Sequence, residues 1–150
     1  MKIKLIDFYH DGPVESLIIR KHYNDTGADV KLKDNVTIMP YETVVIPCGF
    51  GIELPDGYNA HFQTRTSIAK QGLFVQQCAI DAGYRGELHM IVQNLTDKTF
   101  EFNIGDRLCY IEVYPVVYAD FVANLGDERG SGAFGSTGKW AYKLNWQLGS

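Results

Sequence analysis

The chain has 150 residues, of which 45% are hydrophobic and 21% are charged. This balance is typical of a single globular domain and excludes a disordered, collagen-like or low-complexity protein. The 14 Lys and Arg residues and 18 Asp and Glu residues give a formal net charge of −4, which argues against a protein that coats the nucleic acid backbone. A small anionic ligand bound at one site is compatible with this charge.

Cysteine usage and hydropathy predict a cytoplasmic protein without membrane contacts. Cys48, Cys78 and Cys109 are odd in number and form no C-x-x-C pair, so the sequence predicts small buried thiols rather than disulfides or a zinc ribbon. Such thiols are typical of a reducing compartment. The amino-terminal residues contain no apolar run of signal-peptide length, and no segment reaches the ~18 apolar residues of a membrane span.

Short apolar runs separated by turn residues predict an all-β fold. Runs rich in β-branched and aromatic residues recur about every 8 to 12 residues, which is the spacing typical of a β-sandwich or barrel. Turn residues follow the runs at 44–46, 51–54 and 88–92, and Pro115 interrupts the run at 108–118. We expect at least about eight short strands.

Two short segments favour helix, and the end of the chain has a different composition. Residues 14–23 fit either a helical turn or an edge strand. Residues 66–72 predict a short helix, capped by a hydroxyl residue at its start and ended by Gly72 in a left-handed conformation. Glycine then becomes frequent near the end, so we predict a β domain over residues 1–125 and a flexible arm over residues 126–150.

Two segments carry residues that suit a nucleotide pocket. In A-I-D-A-G-Y-R-G-E-L, residues 79–88, a turn holding Asp81 and Tyr84 three residues apart presents a carboxylate and an aromatic ring to one pocket. The alternative is that Asp81 only caps a hairpin. In T-R-T-S-I-A-K-Q-G, residues 64–72, Arg65 precedes two hydroxyl residues at the start of the short helix, and a helix N-terminus binds anions. The alternative there is an ordinary capped helix with a solvated arginine.

A glycine-rich segment, R-G-S-G-A-F-G-S-T-G at residues 129–138, is suited to phosphate binding. Its glycines let backbone N–H groups close around an anion, Ser136 and Thr137 add hydroxyl donors, and Arg129 adds a fixed charge. Serine rather than lysine follows Gly135, so the segment is not a Walker A loop. A flexible tail is the alternative.

Together with T-G-A-D-V at residues 26–30 and G-D-R-L-C-Y-I-E-V at residues 105–113, these segments resemble, in the same order, the conserved blocks of the homotrimeric all-β dUTP diphosphatase (dUTPase) family. The resemblance implies a distorted jelly-roll or β-barrel of short strands with one short helix, the dUTPase-like β-clip. It also implies hydrolysis of dUTP to dUMP and pyrophosphate with Mg²⁺ as cofactor. This reaction keeps uracil out of DNA and supplies dUMP for dTMP synthesis.

The resemblance also implies a role for each matching residue. Asp81 corresponds to the carboxylate that orients and deprotonates the attacking water, and Tyr84 to the ring that packs under the deoxyribose and excludes a 2′-hydroxyl. Asp29 corresponds to the acidic residue that holds Mg²⁺, mostly through water. Phe134 corresponds to the aromatic residue that stacks on uracil. The positions expected to contact phosphates lie in the short helix and in the arm, which completes the active site: Arg65, Thr66, Ser67, Arg129, Gly132, Gly135, Ser136 and Thr137.

The hairpin expected to read uracil, residues 73–77, departs from the family pattern. It lacks the asparagine that many relatives use, so backbone groups are expected to do most of the reading. Cys78 stands where glycine is common, and Tyr110 stands where the family usually has glutamine. We expect Tyr110 to be tolerated, with its hydroxyl or a bridging water replacing the amide contact. Three side chains are further substrate-binding candidates: Gln76, Gln77 and Ile80.

The resemblance implies a homotrimer in which each active site draws on three subunits, with no nucleic acid partner. Two other functions stay open. A dCTP deaminase on the same fold would carry a catalytic glutamate near Ile91 and would lack the glycine-rich arm. A phage-type relative would use nucleotide binding to control a regulatory protein partner. The four histidines are scattered along the chain, so we expect no transition-metal site.

Overall fold

The computed structural model describes residues 1–124, and these form an almost entirely β structure. The helical elements of this part of the chain are a 3₁₀ helix, Val14–Leu17, and a one-turn helix, α1, Thr66–Ala69. The eleven strands are β1 (Lys4–Asp7), β2 (Ile18–Ile19), β3 (Ala28–Lys31), β4 (Val36–Ile38), β5 (Thr43–Pro47), β6 (Phe50–Glu53), β7 (Tyr58–Thr64), β8 (Leu73–Val75), β9 (His89–Asn94), β10 (Phe100–Phe102) and β11 (Arg107–Pro115).

The strands form four antiparallel sheets. One has the order β2-β3-β11-β7, a second has the order β5-β9-β8, and the other two are the pairs β1-β6 and β10-β4. Because most neighbours in a sheet are distant in sequence, the chain crosses repeatedly between sheets, as in a jelly roll. No closed barrel forms within residues 1–124. The all-β prediction is confirmed.

The inward surfaces of the sheets enclose one apolar core. Strand β9 illustrates its origin, because Met90 and Val92 are fully buried while the alternate residues His89 and Gln93 are more exposed. Burying an apolar side chain of this size contributes roughly 1.5–3 kcal/mol to folding. The packed core holds β7, β9 and β11 in place, and these strands carry several residues of the candidate site.

Residues 14–23 contain both of the structures that the sequence left open. The 3₁₀ helix leads directly into β2, which pairs with β3 through Ile18 and Val30 and through Ile19 and Asp29. The short edge strand thus follows a single helical turn.

The short helix forms, but its predicted hydroxyl cap is wrong. The residue at the N-cap is Arg65, and its side chain makes no capping hydrogen bond. Because β7 continues through Thr64, Thr66 lies inside the first turn of α1 instead of before it. At the other end Gly72 has φ of +92°, which confirms the left-handed termination.

The prediction of buried thiols is correct for two cysteines and wrong for the third. Cys48 and Cys109 are buried, whereas Cys78 is exposed. Cys78 lies in the segment that leaves β8 and crosses toward β7, where it lines a cavity that is open to solvent.

Met1–Tyr118 forms one compact unit, and the described residues 119–124 lie outside it. The boundary between residues 125 and 126 stays a prediction. No helix among residues 1–124 is long and apolar enough to cross a membrane. The arm residues predicted to bind substrate lie outside the described residues: Arg129, Gly132, Phe134, Gly135, Ser136 and Thr137.

Candidate active site

A cavity of about 260 Å³ lies beside the point where β8 and β9 separate. Pairing of the two strands extends to Gln76, whose N–H donates to the carbonyl of Ile91 at 2.9 Å. The chain then crosses to β7, where Ile80 and Ala60 exchange two backbone hydrogen bonds of 2.7 and 3.1 Å. The strands therefore diverge, and Gln76, Ile80 and Ile91 line the space between them.

The turn after Ile80 presents Asp81 and Tyr84 to this cavity. The N–H of Tyr84 donates to the carbonyl of Asp81 at 3.1 Å, so the backbone closes the turn. Within residues 1–124 the carboxylate of Asp81 makes no hydrogen bond or ion pair. This argues against a purely capping role and leaves the carboxylate available to a ligand.

The ring of Tyr84 is held against the turn. Its hydroxyl donates to the carbonyl of Glu87 at 2.9 Å. Gly86 permits this position, because a Cβ there would lie 2.5 Å from the Tyr84 hydroxyl. The side chain keeps 46% of its surface exposed, so one face of a fixed ring is accessible from the cavity.

The two glutamines of the hairpin have different surroundings. Gln76 lines the cavity, and its Nε2 donates to Oε1 of Gln93 on β9 at 2.7 Å. The side chain of Gln77 is hydrogen-bonded to Gln63 on β7, and Gln77 does not line the cavity. The structure thus favours Gln76 as the side chain that contacts a ligand.

A second group of predicted residues forms an ion-pair cluster between β3, β7 and β11. Nη1 of Arg107 donates to Oδ2 of Asp29 at 3.0 Å, and Nε of Arg65 lies 3.7 Å from the same oxygen. Nη1 of Arg65 also donates to the carbonyl of Arg107 at 2.9 Å. Two guanidiniums share one carboxylate, so the cluster keeps an excess of positive charge. Such an arrangement favours a phosphate ligand.

The surroundings of Asp29 could hold a magnesium ion only together with substrate phosphates. The described residues contain no group of three or more His, Cys, Asp or Glu side chains that could hold a metal ion. Mg²⁺ commonly binds through one or two carboxylates and substrate phosphates, and it keeps several waters. One half-buried carboxylate beside two arginines fits a cation that arrives with a triphosphate. It does not fit a metal held by the protein alone.

Tyr110 lies on β11 between Asp29 on β3 and Gln63 on β7. Partial burial is the main cause that raises the pKa of the Tyr110 phenol, and the carboxylates of Glu112 and Asp29 act in the same direction. The phenol therefore stays protonated at neutral pH and can donate a hydrogen bond beside Asp29.

Comparison with known proteins identifies the family. A family model described as dUTPase matches residues 15–138. A deoxyuridine 5'-triphosphate nucleotidohydrolase from Leifsonia xyli subsp. xyli is 40% identical over 130 residues, which cover 81% of this chain and 85% of the relative. One from Bifidobacterium longum subsp. infantis is 38% identical over 143 residues, covering 91% and 88%. The chain belongs to the dUTPase family. Its predicted membership is confirmed.

Solved dUTPase structures share this fold. A dUTPase mutant from phage phi11 of Staphylococcus aureus has a TM-score of 0.77 at 19% identity, covering 85% of this chain and 99% of that chain. The dUTPase of EIAV has a TM-score of 0.70 at 22% identity, covering 85% and 98%. These likenesses support the jelly-roll-like arrangement of the sheets.

The structure divides the predicted dUTPase residues into two groups. Four of them line the cavity, whereas Asp29 and Arg65 belong to the ion-pair cluster, and neither Asp29 nor Arg65 lines the cavity. Thr66 and Ser67 are exposed on α1 next to Arg65. The four cavity residues are Gln76, Ile80, Asp81 and Tyr84.

Sequence reasoning missed Arg107 and Gln93. Arg107 stands in the G-D-R-L-C-Y-I-E-V block, where a charged residue directly before a long apolar run was a usable signal. Gln93 had no such signal, because a polar residue at every second position of a half-exposed strand is ordinary.

Proposed function

We propose that this protein hydrolyses dUTP to dUMP and pyrophosphate. The observation that carries the proposal is the convergence of the Asp81 carboxylate and the Tyr84 ring on one cavity in a chain of the dUTPase family. Relatives that are 38% and 40% identical carry the name deoxyuridine 5'-triphosphate nucleotidohydrolase. A carboxylate beside an aromatic ring at the end of a hairpin suits a nucleoside with its α-phosphate nearby.

Asp81 acts as the general base in this mechanism. Its carboxylate takes a proton from a water, and the water oxygen forms a bond to the α-phosphorus in line with the bridging oxygen that leaves. The electron pair of the broken P–O bond goes to pyrophosphate, and Asp81 later releases its proton to solvent. The lack of a protein partner for this carboxylate within residues 1–124 supports the assignment.

Tyr84 selects the sugar. Its ring packs under the deoxyribose, and the bond from its hydroxyl to Glu87 prevents the ring from moving aside. A 2′-hydroxyl would then meet the ring without a hydrogen-bond partner, so ribonucleotides are disfavoured.

The ion-pair cluster binds the phosphates. Arg65 and Arg107 neutralise charge on the triphosphate, with Thr66 and Ser67 as neighbouring donors. Asp29 would hold Mg²⁺, mostly through water, and the bound ion would supply further neutralisation of the phosphate charge. A structural Mg(II) ion is described for the phage phi11 enzyme. In the arm, Arg129, Gly132, Gly135, Ser136 and Thr137 close over the phosphates, and Phe134 stacks on the base.

The working form is a homotrimer, which is characteristic of the family. Separation of the cavity residues from the ion-pair cluster in one chain supports active sites shared between subunits, because a triphosphate must reach both groups. A cytoplasmic location is part of the same proposal.

A nucleotide panel tests this function. Purified protein is incubated with Mg²⁺ and dUTP, dCTP, dTTP or UTP, and the products are identified. We expect dUMP and pyrophosphate from dUTP, and much slower reaction of the other three. Equal turnover of UTP and dUTP would contradict the role of Tyr84, and release of ammonia from dCTP would indicate a deaminase.

The two other functions have less support. Ile91 lines the cavity at the position where a dCTP deaminase would carry its glutamate, so an apolar side chain occupies that place. Phage dUTPases that control transfer of virulence genes share the fold at 17% identity. A likeness at this identity shows a common fold and does not indicate a regulatory partner for this chain.

A further inference from the structure

The cavity contains one hairpin amide whose orientation determines which base it fits. Gln76 lines the cavity and is anchored through its backbone bond to Ile91. A glutamine side chain offers an accepting oxygen and a donating NH₂ group of nearly the same shape. If it were free to rotate, this amide would serve uracil, whose N3 carries a proton, and cytosine, whose N3 carries a lone pair. A freely rotating Gln76 therefore discriminates poorly.

In the structure, Gln93 holds one of the two orientations of this amide. Gln93 pairs with Phe74 in the β8–β9 register, so it lies on the same face of the sheet as Gln76, two residues further along β8. Its Oε1 accepts a hydrogen bond from Nε2 of Gln76 at 2.7 Å. With Nε2 held by Gln93, Oε1 of Gln76 keeps its lone pairs for another partner. Both side chains are partly buried, which strengthens the bond between them.

We propose that Gln93 is a positioning residue for base selection, holding the Gln76 amide so that Oε1 accepts the N3–H of uracil. Cytosine would then place its N3 lone pair against Oε1, and two acceptors would face each other without a proton between them. The inference rests on the proposed function, since it assigns the base that the cavity selects. It concerns the hairpin at residues 73–77, which lacks the asparagine that many relatives use.

Two substitutions at residue 93 distinguish an effect on the orientation of the Gln76 amide from an effect on the packing of residue 93. Glutamate has the shape of glutamine but can only accept, so Gln93→Glu keeps Nε2 of Gln76 turned toward it. Leucine neither accepts nor donates, so Gln93→Leu frees the Gln76 amide. In Gln93→Leu we expect the ratio of kcat/KM for dUTP over dCTP to fall about tenfold, which corresponds to the loss of one neutral hydrogen bond of ~1.4 kcal/mol. In Gln93→Glu we expect the same ratio to stay within about threefold of the original.

A double variant and a control complete the design. Adding Gln93→Leu to Gln76→Leu should cause no further fall in the ratio, because Gln93 acts through Gln76. Gln71→Leu removes an exposed amide that bonds Ser67 on α1 and should leave the ratio unchanged. An unchanged ratio in Gln93→Leu would overturn the proposal, and so would an equal fall in Gln93→Glu and Gln93→Leu.

Calorimetry with dUMP and dCMP distinguishes failure of this inference from failure of the proposed function. If the unmodified protein does not hydrolyse dUTP yet binds dUMP more tightly than dCMP, the hydrolytic function fails. Loss of that preference in Gln93→Leu alone would still support the inference. If the unmodified protein shows no preference between uracil and cytosine nucleotides, either in turnover or in binding, both the inference and the proposed function are refuted.

Discussion

Two aspartates of the candidate site differ in what surrounds them, and this difference separates their roles. Asp29 faces two guanidiniums, with its Oδ2 3.0 Å from Arg107 and 3.7 Å from Arg65. Asp81 has no such partner within residues 1–124. A carboxylate that is paired with two guanidiniums is already engaged, whereas one that faces an open cavity is accessible to a water. The neighbours therefore favour Asp81 as the base and Asp29 as part of the charged cluster.

Replacing Asp81 tests this assignment. Asp81→Asn keeps the shape of the side chain but removes the base, so turnover of dUTP should fall by at least ~10²-fold while dUMP affinity is retained. Asp56→Asn, in an exposed turn, is the control and should keep full turnover. Steady-state kinetics and dUMP calorimetry provide the two measurements. Near-normal turnover of Asp81→Asn would mean that another group activates the water.

The cysteines should differ in reactivity with a thiol reagent. Burial raises the pKa of Cys48 to about 12 and raises that of Cys109 well above its ordinary value, so both stay protonated and inaccessible near pH 8. Cys78 is exposed. We expect one rapidly reacting thiol in the folded protein and three after unfolding, counted spectrophotometrically. Cys78→Ser should abolish the rapid reaction, and a second rapid thiol would contradict this assignment.

The same burial predicts a pH dependence of stability. A Cys48 thiol in the unfolded chain ionises near the ordinary pKa of 9.0, whereas the folded protein holds its proton up to about pH 12. The unfolded state therefore binds fewer protons than the folded state in this window, and the free energy of unfolding should fall as pH rises from about 9 to 12. Denaturant titrations across this range measure the effect. In Cys48→Ala the part of the fall due to this thiol should be absent.

The turn after β9 depends on a buried amide. Asn94 is 2% exposed, and its Nδ2 donates to the carbonyls of Met39 and Lys98 at 2.9 and 2.6 Å. Its Oδ1 accepts from the N–H and the hydroxyl of Thr96 at 2.9 and 2.8 Å. One side chain thereby satisfies backbone groups of the turn and of the segment after β4. These hydrogen bonds form a buried polar network that stabilises the turn after β9.

Removing that amide should destabilise the fold. Asn94→Ala leaves the Lys98 carbonyl and the Thr96 N–H without their partners and removes one of the two hydrogen bonds that the Met39 carbonyl accepts. The free energy of unfolding should therefore fall by about 2–4 kcal/mol. Asn24→Ala, at an exposed position, should change it by less than about 0.5 kcal/mol. Urea unfolding at one fixed subunit concentration makes the comparison independent of assembly. A loss below about 1 kcal/mol in Asn94→Ala would show that water replaces these bonds.

We predict that folding and binding of the triphosphate depend on different parts of the chain. The described residues contain a continuous buried cluster that includes Phe50, Met90 and Leu108. The segment at 129–138, by contrast, is dominated by glycine and polar residues. A segment of this composition contributes little apolar burial. Its predicted contribution is to the triphosphate and not to the core.

Truncation before Arg129 should therefore leave a folded trimer with little activity. The shortened protein should elute at the trimer mass and still bind dUMP, because the arm acts chiefly on the β and γ phosphates that dUMP lacks. Turnover of dUTP should fall by at least ~10²-fold, since closure aligns the α-phosphorus and expels water. Size-exclusion mass, calorimetry and a pyrophosphate assay test the three parts. Full activity would contradict a catalytic arm, and dissociation into monomers would reveal a structural one.

Local patterns allowed the β fold, the short helix and the site turn to be predicted from the sequence. Strands follow from runs of β-branched residues between turn residues, and Gly72 ends the turn after α1 because φ of +92° favours glycine. Asp81 and Tyr84 are three residues apart, so a single turn brings both to the cavity. The hydroxyl cap failed because the end of β7 depends on its pairing with β11, which lies far away in sequence.

Residues distant in sequence meet only through sheet register, and those contacts could not be predicted. Arg107 and Asp29 are 78 positions apart and come together because β11 pairs with β3. Gln76 meets Gln93 because β8 pairs with β9, and Cys78 is exposed because the chain leaves β8 just before it. A shift of one residue in either register would turn these side chains to the opposite face. Composition and motifs thus determined the family and the reactive turn, whereas long-range strand pairing decided which side chains surround Asp29 and Gln76.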